Sequence, residues 1–184
     1  MKFPKDSILL AIWTLLFCTF LVAFSFSSWQ SARQTTSQEW TSRAHQIHGF
    51  LKGASDLPPM TNAEASHMND VQDLLRYLQF VWGLISLRLI YILLDGPKHL
   101  LQSFLPAGAL LIVILAFAIF LPFETLFHAM HIILFPQGNW QFPTDSVLIS
   151  LFPGYFFAAL ALRLGVYALI GAIALINLSV ICQE

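Results

Sequence analysis

Four apolar runs, residues 8–26, 74–94, 105–123 and 164–182, leave this chain few ways to fold. Each is close to the ~20 residues that an α-helix needs to cross ~30 Å of hydrocarbon. The 184 residues are 57% hydrophobic and only 10% charged, against roughly a quarter charged in a soluble domain. The expectation is an all-α, polytopic membrane protein: one membrane domain over residues 1–184, with four transmembrane helices. Two structured loops, about 27–73 and 124–163, join spans one to two and three to four.

Net charge is −1, so nothing in the balance asks for nucleic acid or another polyanion. Cys18 and Cys182 fall in the first and last apolar runs, which argues against a disulfide framework. No glycine-rich phosphate loop, CxxC pair or G-x-S-x-G elbow occurs, so ATP-driven, thiol-redox and serine-nucleophile chemistries have no support. Lys2 and Lys5 precede the first run, and Ala23-Phe24-Ser25 faintly resembles a signal-peptidase site. The run is longer than a usual signal core, and an uncleaved signal-anchor is the expectation.

Lys2 and Lys5, with Arg88 and Lys98 at the turn between spans two and three, put both termini in the cytoplasm by the positive-inside rule. The two long loops would then be extracytoplasmic. Arg33, Arg43 and Lys52 sit in the first of them, but long loops translocate largely regardless of charge.

The first loop has its own pattern. Trp40, Ala44, Ile47 and Leu51 recur at helical spacing, an apolar stripe suited to a helix lying flat in the membrane interface. Asp56-Leu57-Pro58-Pro59 should end it. Thr61-Asn62-Ala63-Glu64 reads as a capping box opening the next helix, which should run on into the second span. In the second loop Pro136-Gln137-Gly138-Asn139 is a turn, and Pro153-Gly154 breaks an apolar run. Residues 147–162 read as a re-entrant or surface helix, with Arg163 at the outer interface.

Five of the six histidines lie in these two loops. Glu64-x-x-His67-x-x-Asp70 places three ionisable groups on one helical face, where a carboxylate can orient the imidazole; a solvated helix start is the plainer reading. His128-x-x-His131 and His45-x-x-His48 share a spacing that would suit a metal, although HxxH alone is a weak motif. Bis-histidine haem ligation is a further alternative, weakened because the histidines fall in expected loops. Arg76 and Arg163 could each hold a lipid phosphate or an aspartate, or simply anchor the helices at the interface.

Two stretches carry a resemblance. The first is Leu57-Pro58, Asn62, Glu64 and His67-Met68-x-Asp70-Val71. The second is Phe127-His128, Phe135, Trp140, Asp145-Ser146-x-Leu148-Ile149 and Leu151-Phe152-Pro153 with Phe156-Phe157. In order and placement between spans they resemble the bacterial lipoprotein intramolecular transacylases, the Lit family. The resemblance implies an enzyme of the bacterial cytoplasmic membrane, with its active site on the outer face and no cofactor. Its substrates would be diacylated bacterial lipoproteins among the membrane lipids. The sn-2 acyl chain of the diacylglyceryl cysteine would move to that cysteine's α-amino group, leaving a lyso-form lipoprotein.

The family's two functional histidines are expected at His67 and His128. Glu64, Asp70, Asn139, Trp140, Ser146, Arg163 and Arg76 are candidates for supporting roles. A metal- or haem-binding protein using His45, His48 and His131, or a structural subunit of a membrane complex, are the rival readings.

Overall fold

The computed structural model describes residues 5–33 and 37–181. Among them every regular element is a helix: α1 (Lys5–Phe24), α2 (Phe26–Ala32), α3 (Gln38–Leu51), α4 (Asn62–Asp95), α5 (Pro97–Ile119), α6 (Phe123–Leu134), α7 (Val147–Leu151) and α8 (Gly154–Ile181). Four of these are long and apolar enough to cross a membrane: Asp6–Phe24, Asn62–Asp95, Leu100–Ile119 and Gly154–Ile181. Lys2 and Cys182 lie outside the described residues.

The chain divides into two compact units. The first comprises the described parts of Met1–Phe20, Leu78–Leu121 and Arg163–Glu184. Large apolar side chains point outward here, among them Phe80, Leu87, Val113 and Phe117, as expected where the surroundings are lipid. Leu10, Leu89 and Leu111 belong to its core, with small and polar residues among them: Ser7, Ser103, Ala107 and Ala172 are each 0% exposed. A Cβ on Gly108 would stand 2.7 Å from the Ala172 carbonyl oxygen, so glycine is what lets α5 and α8 approach backbone to backbone. The indole Nε1–H of Trp13 donates to Ser86 Oγ at 2.7 Å, and Trp13 stacks on Trp82 at 5.7 Å.

The second unit comprises Leu21–Tyr77 and Pro122–Leu162. The stripe Trp40, Ala44, Ile47 and Leu51 forms as expected, but its destination differs. Ala44 and Ile47 are fully buried, in a core with Trp29, Met68, Leu148, Leu151, Phe152 and Phe156. The apolar face of α3 is consumed by protein rather than laid on lipid. The helix also stops before Asp56: Gly53, at φ 74°, lets its N–H reach the Phe50 carbonyl at 2.8 Å and that of Ala54 reach Gly49 at 2.8 Å. This left-handed cap closes the helix ahead of the prolines.

Two further expectations change. Residues 124–134, read as loop, belong to helix α6, so His128 and His131 stand on a helix. Residues 154–162 belong to the fourth spanning helix itself, and only Val147–Leu151 forms a separate short helix. Pro153 does break the chain, but the helix restarts one residue later. Arg163 therefore lies within α8, half-buried, in the first unit.

Helix α4 is the piece that matters most for the site. At 1.5 Å per residue its 34 residues exceed what the bilayer needs, since ~20 suffice for ~30 Å. The apolar part, 74–94, is by itself close to that length, and the polar turns 62–73 come before it.

Candidate active site

The capping box at the start of α4 has a second use. Glu64 accepts hydrogen bonds from the Thr61 N–H and hydroxyl, both 2.8 Å, while Glu64 N–H donates to Thr61 Oγ1 at 3.3 Å. The other carboxylate oxygen accepts from the Leu148 N–H at 3.1 Å, at the N-terminal amide end of α7. Burial (1% exposed) pushes the carboxyl upward, but the donors from Thr61, Leu148 and Val147 outweigh it and hold it below its ordinary value. Glu64 thus pins the second loop to α4 as a fully engaged anion. Ser146 caps the same short helix, its Oγ accepting from Ile149 N–H at 3.1 Å.

One turn along α4, His67 is 8% exposed. Its ring meets Phe135 at 4.9 Å, Phe142 at 5.7 Å and the imidazole of His131 at 6.1 Å. His131, also 8% exposed, is packed by Phe127 at 4.1 Å and Trp140 at 4.9 Å. Two histidines, walled by aromatic rings from three segments, therefore face each other. His128 is different. It is exposed on α6, and its ring contact is the edge of Trp140 at 5.2 Å. The resemblance implied His128 as the partner of His67; of the two rings on α6, it is His131 that lies beside His67. Residues 128 and 131 are one turn apart, so spacing cannot choose between them. The choice depends on which one the aromatic wall covers.

Burial is the main cause acting on both buried rings. It pulls His67 down to about 4, with the neighbouring His131 adding to the effect and Asp70 opposing it. His131 is lowered too, chiefly by burial, with the Phe127 carbonyl resisting and His128 assisting. Both imidazoles are neutral at neutral pH. The Nδ1 of His131 lies 2.7 Å from the Phe127 carbonyl oxygen, and only a protonated Nδ1 can make that bond. The lone pair is then on Nε2. His67 Nδ1 is buried without a hydrogen-bond partner.

Asp70, one more turn along α4, is half-buried. It accepts hydrogen bonds from Asn139 Nδ2 and, at 2.9 Å, from Gln137 Nε2. These amides, first Asn139 and then Gln137, hold the carboxyl below its ordinary value against a smaller upward push from burial. Asn139 also reaches Ser66 Oγ at 3.3 Å. The turn that presents them is set by Gly138, at φ 78°. Gln137 was not singled out in the sequence; its place in a Pro-Gln-Gly-Asn turn gave no sign of a partner on α4.

The remaining candidates stand apart. Arg76 is exposed and pairs with Asp73 at 3.4 Å. His48 is buried against Phe26 and Trp29, and exposed His45 meets the edge of Phe26. Among the described residues no three His, Cys, Asp or Glu side chains converge on a metal-sized site, so the grouping of His45, His48 and His131 finds no geometry.

The fold is that of a membrane-integral enzyme class already known in atomic detail. Three solved structures match, all of the membrane integral lipoprotein intramolecular transacylase Lit from Bacillus cereus. One gives 22% identity and a TM-score of 0.73, covering 94% of this chain and 90% of that one. A histidine-to-alanine variant of the same enzyme gives 22% identity and 0.68, covering 95% and 88%. A histidine-to-arginine variant gives 22% and 0.68, covering 95% and 87%. No curated protein matches in sequence. The family model for lipoprotein intramolecular transacylase Lit matches residues 6–157, and the chain belongs to that family. It is accordingly a membrane-integral transacylase.

Proposed function

We propose that this chain moves the sn-2 acyl group of a diacylglyceryl-cysteine lipoprotein onto the cysteine's own α-amine, with His67 and His131 as the catalytic pair. The observation that carries the pairing is their mutual approach at 6.1 Å, with the Nδ1 of His131 committed to a main-chain carbonyl. The reaction exchanges an ester for an amide, which is downhill, so no external energy source is needed. Donor and acceptor belong to one molecule, and the site need only hold the reactive conformer.

An α-amine with an ordinary pKa of about 7.7–8.0 arrives mostly protonated. It must lose a proton to attack and a second as the amide forms. His131 Nε2, carrying the lone pair, accepts the proton from nitrogen. A buried imidazole is a weak base towards a free ammonium. It is adequate towards the nitrogen of the tetrahedral adduct, whose acidity rises as the C–N bond forms. His67 faces the same space and supplies a donor to the developing oxyanion, or relays a proton to the departing sn-2 oxygen. Asp70, held anionic by Asn139 and Gln137, attracts the ammonium and supports His67.

The substrate lies in the bilayer, and we place both termini in the cytoplasm and the site on the outer face of a bacterial cytoplasmic membrane. The purified chain in lipid, given a synthetic diacylglyceryl-cysteine peptide, should form an N-acyl product. Loss of that product with His67→Ala and with His131→Ala would support the pair. Full activity in either variant would refute it.

A further inference from the structure

The acyl shift does not conserve protons within the site. An α-ammonium begins with three N–H bonds and the amide product keeps one. Of the two protons lost, one ends on the sn-2 oxygen as the new glyceryl hydroxyl. The other leaves with no acceptor among the products, and every turnover that starts from ammonium releases it to water.

The buried groups are poor places to leave it. Burial disfavours the imidazolium form of both His67 and His131. The Glu64 carboxylate is consumed by the caps of two helices, and at Asp70 the two amides, both donating to Oδ2, hold the carboxyl below its ordinary value and so disfavour its taking a proton. His131 Nδ1 already donates to Phe127. One imidazole stands at the rim instead. His128 is exposed and lies one turn from His131 on the same face of α6. The Trp140 ring touches both, at 5.2 Å from His128 and 4.9 Å from His131. The other charged group at helical spacing is Glu124, exposed one turn before His128. The facing segment presents Trp140, which does not titrate.

We propose that His128 is the proton outlet of the site, passing to bulk water the proton that His131 takes from the substrate amine. This rests on the transacylase reading above and adds a role for an exposed residue that need not touch substrate. Imidazole suits the task because its two ring nitrogens let it accept a proton on one side and give one up on the other. The Trp140 ring borders both imidazoles, and the transfer from His131 to His128 runs past the indole through water at the exposed rim.

The test is buffer rescue. The full chain in lipid vesicles is assayed with the diacylglyceryl-cysteine peptide in weak buffer, with and without added imidazole. His128→Ala should lower kcat by ~10-fold or more while leaving KM unchanged. Added imidazole should restore the rate in a saturable way, with little effect on the parent. His128→Asn, which keeps a polar side chain of similar reach, should be equally slow and equally rescued. Full rate in both variants at every buffer concentration would overturn the outlet, and so would slow turnover that imidazole does not restore. A parent chain that makes no N-acyl product would instead overturn the transacylase reading, and the outlet with it.

Discussion

The Nδ1 of His131 sits 2.7 Å from the main-chain oxygen of Phe127, one turn earlier on α6, and this contact fixes which ring nitrogen is basic. A backbone carbonyl cannot be protonated away at working pH, so the tautomer is built into the helix. Across from it, His67 projects from α4 with an unpartnered Nδ1. A helix carrying the polar prelude of a span and a helix outside the spans thus each deliver one neutral imidazole to the same aromatic enclosure.

Replacing His67 or His131 by alanine should each cost ~10²–10⁴-fold in turnover, the usual range for a positioned acid or base. Steady-state kinetics on the lipopeptide, with folding checked by thermal melting, measure this. A variant of either residue within a few-fold of the parent would remove it from the pair.

The histidines also tie stability to pH. His67 titrates near 6.5 unfolded and at about 4 folded, so between those values the unfolded chain binds more protons. Stability should be complete above pH 6.5 and fall as the pH drops towards 4, by up to ~3 kcal/mol from this residue. His131 acts in the same direction. The melting temperature in detergent should decline from pH 7 to pH 5, and His67→Gln should flatten the decline. A parent curve without slope in that window would contradict the burial argument.

Glu64→Ala should destabilise the second unit by about 1–3 kcal/mol, because the buried N–H of Leu148 loses its acceptor and Thr61 loses its capping partner. Glu64→Gln should cost less, since an amide oxygen can still accept. Equal melting temperatures for Glu64→Ala and the parent would refute the carboxylate's role in joining α4 to α7.

Trp40→Phe tests the seating of α3. The indole Nε1–H donates to the Leu151 carbonyl oxygen at 2.8 Å, where the only other side-chain donor described is Arg33 Nη1 at 3.4 Å. Losing it should cost about 1 kcal/mol, seen as faster hydrogen exchange in α3 and α7. Unchanged protection would mean that ring packing alone holds the helix.

How much of this was legible in the sequence follows from the range of each interaction. The spans were plain because a run of apolar residues is its own signal. The opening of α4 was plain because Thr61 and Glu64 are local partners. The stripe on α3 gave the helix but not its neighbour, since apolar residues fit lipid or a protein core equally well. Helix α6 was hidden because Phe123–Leu134 is too short for a span and ends in a turn. Which histidine of α6 lies beside His67 was hidden for a different reason. Residues 128 and 131 share a helix face, and which one is enclosed depends on Phe135, Trp140 and Phe142 folding back over α6. Gln137 escaped notice because its partner, Asp70, is 67 positions away.

The most direct test of the central claim is tandem mass spectrometry of one lipoprotein's N-terminal peptide, from a diacyl-lipoprotein bacterium with and without this chain. An intramolecular shift leaves the total mass unchanged, so the fragments decide. The account predicts fragments of an N-acyl, S-monoacylglyceryl cysteine when the chain is present, and their loss with His67→Ala or His131→Ala. An unaltered diacylglyceryl cysteine, with the chain confirmed in the membrane, would contradict it.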